Sequence, residues 1–396
     1  VNLERLQSER FDALVVGAGP AGSSSAYHLA RAGARVLLVD RWVFPRDKAC
    51  GDGIVPQAVA ELALLGISEA DLTSRFQRVD HAETFWPDVP VVSAPLVARK
   101  SAGEASALPP YGFVAPRLIF DDLLRQRALE AGADFCASFH AQTLDWPSAD
   151  EIVVTGHCQP YDALHLRARF LVVADGSSSR LARLIRQEAG RRGLTTSVTT
   201  LAADDASRAT AMRAYLSAPG RQKPAGLQFY FERADPRMLY FWVFPLADDR
   251  MNVGVIATHA HLRADQRAGI RVDLLSRLNA FLARCGYDPA LLQSVRAAPL
   301  AMGLRGACLA GPRAVCVGDA ASLVSPLSAE GISGALASGR LAAQAIISAL
   351  GANADDSASA LSAYQTEILT RYLPLFTRQF DQRRAQEKLL IALSLS

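Results

Sequence analysis

Residues 12–41 confine the chain to a narrow set of folds. Asp12-Ala-Leu-Val-Val-Gly17-Ala-Gly19-Pro20-Ala21-Gly22 runs from a short apolar stretch into a glycine turn. A helical stretch, Ser23 to Ala32, follows, then a second apolar run that ends at Asp40 and Arg41. Strand, turn, helix and strand within roughly 30 residues make a βαβ unit, which demands a parallel sheet and a crossover helix. Gly17 permits the tight turn, Gly19 lets backbone approach a pyrophosphate, and Gly22 lets the helix pack closely on the strand. The helix N-terminus offers unpaired N–H groups and a positive dipole end to the phosphates. Asp40 is placed to accept hydrogen bonds from ribose hydroxyls. The unit therefore reads as an adenine-dinucleotide site, and by itself it does not choose between FAD and NAD(P).

Composition removes several alternatives. The 396 residues are 50% hydrophobic with a formal net charge of +3, which excludes disorder and leaves no excess of basic residues for nucleic acid. Six cysteines at 50, 136, 158, 285, 308 and 316 show neither Cys-x-x-Cys nor zinc spacing, and read as reduced thiols of a cytoplasmic protein. No metal site is expected, and His259 and His261 read as loop residues. The most apolar long stretch, Gly331 to Leu350, is mostly Ala, Ser and Gly and contains Arg340 and Gln344, so a membrane span is not expected.

Three further segments decide the cofactor. Val172-Val-Ala-Asp175-Gly176 is a strand ending in an Asp-Gly turn. Ala314-Val-Cys-Val-Gly318-Asp319 is another, and Pro326-Leu-Ser-Ala-Glu330-Gly331-Ile332 opens a long helix. Here the chain resembles the p-hydroxybenzoate hydroxylase-type FAD superfamily. The resemblance implies that Asp319 holds the ribityl chain and that Arg117, at a helix start, lies near the flavin. It also implies that the N–H groups of Gly331 and Ile332 face the flavin's pyrimidine side.

Pro45-Arg-Asp-Lys48-Ala-Cys50-Gly51-Asp-Gly53 and Tyr240-Phe-Trp242-Val-Phe244-Pro245, with Asn252-Val-Gly254 after them, are similar to the flavin-dependent geranylgeranyl reductase family. That resemblance implies reduction of carbon–carbon double bonds in an isoprenoid or other large apolar substrate, by hydride transfer from flavin N5. Tyr240, Trp242 and Phe244 alternate along a strand and share one face, with Pro245 after them. The pattern alone suits a core strand as well as a cavity wall; the family favours the wall, with Tyr240 and Trp242 supplying a polar edge. Cys50, on a glycine-flanked loop, is the candidate for positioning substrate or supplying a proton, with Lys48 lowering its pKa, although a small residue that merely packs fits as well. Ala329 stands where the family commonly has Gly, which would narrow the flavin face or shift the start of the helix.

With no second glycine fingerprint, reducing equivalents would come from a transient NAD(P)H or a ferredoxin-type donor. The rival readings are an FAD monooxygenase (hydroxylase or epoxidase), a halogenase using Lys100, a quinone-linked electron-transfer flavoprotein and a non-catalytic flavin module. The expected architecture is α/β. A Rossmann-like FAD-binding domain (8–80, 111–178, 297–350) carries an inserted, mainly antiparallel substrate domain (81–110, 179–296). A C-terminal helical region (351–396) follows, helical over 359–393, for pocket closure, dimer contact, core packing or peripheral contact with the inner face of a membrane.

Overall fold

Arg10–Val16 is the central strand of a parallel sheet, flanked by Val36–Val39 and Tyr161–Val173. Asp134–Cys136 and Ala314–Cys316 extend the two sides, also in parallel. The computed structural model describes residues 3–86, 89–96, 108–194, 202–231, 239–267, 269, 273–351 and 354–395. All four residues of Val36–Val39 are buried, the continuous apolar reading of a strand covered on both faces. The crossover helix is Pro20–Arg31. It starts three residues before Ser23 because Pro20 suits the first helical position, where an N–H would have no partner anyway.

Ile332–Leu350 packs on that helix, and its small residues are explained by the closeness of the approach. The hydroxyls of Ser24 and Ser25 donate to the carbonyls of Leu336 and Gly339 at 2.8 and 3.0 Å. A Cβ at Gly339 would lie 2.3 Å from the Ala21 carbonyl oxygen. Among the described residues no helix is long and apolar enough to cross a membrane.

A second sheet has seven strands in the order Leu292–Ala301, Arg208–Ser217, Arg250–Thr258, Leu239–Pro245, Leu227–Phe231, His81–Phe85 and Val92–Pro95. Its pairings are antiparallel except that of Leu227–Phe231 with His81–Phe85. The strand Leu292–Ala301 pairs along Arg208–Ser217 up to Ala301, so the ladder runs past position 296, where the sequence suggests that the insertion ends. Leu239–Pro245 is buried throughout. Leu239, Phe241 and Val243 pack toward helix Leu274–Arg284, where Phe241 stacks on Phe281 at 4.4 Å. Tyr240, Trp242 and Phe244 point the other way, into a cluster with Val114, Met302 and Val324.

One helix, Ala354–Leu395, forms the C-terminal region, and contains Pro374. Leu361, Tyr364 and Ile368 are buried in the core beside the parallel sheet, and the Tyr364 hydroxyl donates to the Cys316 carbonyl at 2.7 Å. The apolar stripe therefore serves core packing. His259 and His261 open the helix His259–Arg267 and are not loop residues. His261 lies 3.3 Å from the Asp265 carboxylate. Among the described residues no cluster of side chains could hold a metal ion.

Candidate active site

A cleft runs along the carboxyl ends of the parallel strands. Gly17, Gly19, Pro20, Ala21, Asp40 and Arg41 line it on one side; Lys48, Asp175, Gly176 and Asp319 line the other. Gly22 and Gly318 stand behind the lining. Gly318 has its N–H on the Ser338 hydroxyl at 2.9 Å. Asp40 accepts the N–H of Ala18 at 2.7 Å and that of Trp42 at 2.9 Å, so it first ties the glycine turn to the second strand and keeps lone pairs for a ribose. Two features fit a bound dinucleotide. A Cβ at Gly19 would meet only the Arg46 guanidinium, at 3.5 Å, so packing within the chain does not require glycine there, whereas a close-lying pyrophosphate would. Asp175 has a buried oxygen, Oδ1, with no hydrogen-bond partner, as expected where a ligand hydroxyl completes the site. Burial pushes the Asp175 carboxyl up to about 6, against a hydrogen bond from Ser179.

The loop carrying Lys48, Cys50 and Gly51 joins this cleft to a second cavity, which Arg117, Gly331 and Ile332 also line. Lys48 does not serve Cys50. Its ammonium reaches Asp319 at 3.2 Å, and Ser177 donates to the same carboxylate oxygen. Burial alone would raise the Asp319 carboxyl, but Lys48, Arg117 and Ser177 hold it below the usual range. The charge beside the half-buried Cys50 thiol belongs to Arg117, which forks onto Asp121 at 2.6 and 2.8 Å. Burial pushes the thiol up despite that cation. Cys50 is thus a neutral thiol, contrary to the lowered pKa expected from Lys48.

The start of the long helix also differs from expectation. Glu330 accepts the Ser333 N–H at 2.7 Å and the Ser333 hydroxyl, so a carboxylate shares the N-terminus assigned to the flavin. Pro326 does not line either cavity; its carbonyl accepts from Arg383 of the C-terminal helix. Ala329 keeps the backbone a glycine would have, with φ +55°, a left-handed conformation that strains an alanine. Ala329→Gly is expected to leave stability unchanged or raised by up to about 1 kcal/mol, because relieved strain equals or exceeds the added chain entropy. Thermal melts check this; the loss of about 1 kcal/mol that Ala→Gly gives in a helix would contradict it.

Tyr240, Trp242, Phe244, Phe229, Leu227 and Ile256 form the apolar wall of the second cavity. Their polar tips are bonded within the protein. The Tyr240 hydroxyl donates to the Ser328 carbonyl and the Trp242 indole N–H to Asn252, each at 2.8 Å. The polar edge expected from these two residues is therefore satisfied within the protein. Pro245 falls on the opposite parity of the strand and does not face the cavity. Lys100 lies outside the described residues.

Four residues have no role in the sequence reading. Arg213, 1% exposed in the antiparallel sheet, holds the loop through the Asp47 carboxylate and the Lys48 carbonyl. Asp52 is fully buried and accepts from Tyr215 at 2.9 Å and Asn252 at 2.7 Å. These partners are more than 150 positions apart in sequence, so no local pattern reveals them. A signal did exist in Asp52 itself, a carboxyl between two glycines, and in Asn252, a polar residue inside an apolar strand.

Burial raises the Asp52 carboxyl to about 7, with Arg213, Asn252, Tyr215 and Arg117 opposing. The unfolded chain loses this proton near the ordinary carboxylate pKa while the folded chain keeps it, so stability falls as pH rises from about 4 to about 7 and is flat above. Between pH 5 and 8 the loss is roughly 2–3 kcal/mol, and Asp52→Asn is expected to lack it. Urea melts across that range, with parallel slopes for parent and variant, would contradict the assignment.

A family model described as FAD binding domain matches residues 10–373. The menaquinone reductase of Mycobacterium tuberculosis (strain H37Rv) is 34% identical over 345 residues, 84% of this chain and 76% of that protein. Digeranylgeranylglycerophospholipid reductase 1 of Methanopyrus kandleri is 29% identical over 401 residues, 97% of this chain and 92% of that one. A geranylgeranyl bacteriochlorophyll reductase-like structure from Thermoplasma acidophilum shares the fold, with TM-score 0.76, 23% identity, and coverage of 98% and 91%. FAD is accordingly the cofactor, and the chain belongs to the geranylgeranyl reductase-like branch of the FAD-binding-domain family.

Proposed function

We propose that the protein reduces carbon–carbon double bonds in the polyprenyl chain of a neutral substrate, a prenylated quinone or lipid tail. The carrying observation is the cavity beside the cofactor cleft, whose wall is apolar and whose cations are already paired. Lys48 sits on Asp319, Arg117 on Asp121 and Arg213 on Asp47. Glu330 adds a carboxylate to the lining. Such a site suits a neutral chain and disfavours a diphosphate head group. A substrate that carries a polyprenyl chain is also what the names of the two reductase relatives share.

The glycine turn, Asp40, Arg41, Lys48, Asp175, Gly176 and Asp319 would hold FAD, with Gly331 and Ile332 toward its pyrimidine side. Bound and reduced, FAD supplies a hydride at N5. Tyr240, Trp242 and Phe244 press the chain against that face and keep water out. Cys50 holds a proton at Sγ for the second carbon, so that one hydride and one proton saturate the bond. An NAD(P)H or a ferredoxin-type protein would restore the reduced cofactor. A substrate of this class resides in a bilayer, so the protein would work from the cytoplasmic side at the membrane face.

Each isoprene unit buried contributes up to about 4 kcal/mol at roughly 0.8 kcal/mol per carbon, so affinity should rise with chain length until the cavity is full. Titrating the oxidised holoprotein with prenylated quinones and with geranylgeranyl diphosphate, followed by flavin absorbance, checks the reading. The quinones are expected to bind at least about tenfold tighter, a difference of about 1.4 kcal/mol. Tighter, salt-sensitive binding of the diphosphate would contradict it.

A further inference from the structure

Asn252 has no part in the reading above, yet its amide is fully buried within the otherwise apolar stretch 251–257 of its strand. A polar group there persists when its hydrogen bonds are met. Its Nδ2 donates to the Cys50 carbonyl at 2.8 Å and to the Asp52 carboxyl at 2.7 Å. Its Oδ1 accepts the Trp242 indole N–H at 2.8 Å. The amide orientation is fixed by this set, since a flipped amide would point N–H at the indole N–H and oxygen at the Cys50 carbonyl oxygen.

Both neighbours are held for this contact. A Cβ at Gly254 would come 2.1 Å from the Trp242 ring, so glycine lets the indole lie across the adjacent strand with its N–H toward Asn252. On the loop side Tyr215 fixes the Asp52 carboxyl at 2.9 Å, and the Asp52 carbonyl accepts the Ala115 N–H at 2.8 Å. Cys50 therefore hangs from a loop whose attachment to the substrate sheet includes one amide shared with the cavity wall.

We propose that Asn252 is a positioning residue that couples the Trp242 wall of the cavity to the Cys50 loop and so sets where the thiol stands. The proposal rests on the assignment of Cys50 and the cavity given above, but its test does not depend on turnover. FAD-loaded protein is treated with iodoacetamide and the alkylation rate of Cys50 is read by peptide mass mapping. That map separates Cys50 from the half-buried Cys285 and from the buried Cys136, Cys158, Cys308 and Cys316.

Trp242→Phe keeps an aromatic ring and removes the N–H, and it is expected to speed Cys50 alkylation about five- to tenfold, the equivalent of one hydrogen bond. Asn252→Leu should do at least as much, and the double variant should be no faster than Asn252→Leu alone. A merely structural Asn252 would give multiplying effects in the double variant, which would overturn the proposal. An unchanged rate in Trp242→Phe would overturn it as well, and that variant carries the test alone if Asn252→Leu fails to fold. Coupling without any reaction of prenyl substrates would leave this proposal standing and remove the polyprenyl reading instead.

Discussion

Gly22→Ala is expected to leave the protein without FAD and less stable by about 3 kcal/mol or more. The new Cβ would stand 1.8 Å from the Gly17 carbonyl oxygen. That peptide cannot retreat, because Gly17 is itself at φ +106° with a virtual Cβ 2.3 Å from the Ala174 carbonyl oxygen. Helix, turn and the end of strand Tyr161–Val173 are thus wedged together at one point. Gly19→Ala, three residues away, should behave oppositely. Its Cβ has room, so the melting temperature should hold while FAD affinity falls about tenfold or more, at about 1.4 kcal/mol per tenfold. The flavin-to-protein absorbance ratio and thermal melts of the two variants separate these roles. Equal destabilisation by both would show that the turn is purely structural.

Cys50→Ala is expected to slow double-bond reduction by about 10²–10³-fold, the usual contribution of a positioned general acid, with FAD content unchanged. Reduction of the flavin by a chemical donor should be unaffected, because the thiol acts on the substrate side. The raised pKa gives a second signature. An acid must be protonated to act, and burial keeps this thiol protonated above its ordinary range, so the parent's rate should not fall as pH passes through that range. Single-turnover rates of the prereduced protein test both. A rate for Cys50→Ala within threefold of the parent's, a factor of about 0.7 kcal/mol, would reduce Cys50 to a packing residue.

The features legible in the sequence are those whose physics is local. The βαβ unit could be read because strand, turn and helix each follow from neighbouring residues, and the faces of Tyr240, Trp242 and Phe244 followed from the period of a strand. Applied one residue further, the same period would have set Pro245 aside. Lys48 is near Cys50 in sequence without serving it, because its ammonium goes to Asp319, 271 positions on. Glu330 was passed over as part of a motif, although a carboxylate before a helix is a natural cap. The meeting of Asp52, Tyr215, Arg213 and Asn252 has a different origin. They meet only where the antiparallel sheet lies over the Cys50 loop, and no spacing within either segment encodes that contact.

The central claim is that the apolar cavity presents a prenyl double bond to the cofactor for addition of two hydrogens. The most direct measurement is to reduce the holoprotein without oxygen, add one equivalent of a prenylated quinone already in its hydroquinone form, and follow flavin absorbance and product mass. With the ring reduced beforehand, the chain is the electron acceptor that remains. The account predicts recovery of the oxidised flavin spectrum without oxygen and a product heavier by about two mass units, one hydride plus one proton. A flavin that stays reduced until oxygen is admitted, then yields a product carrying an added oxygen atom, would contradict it.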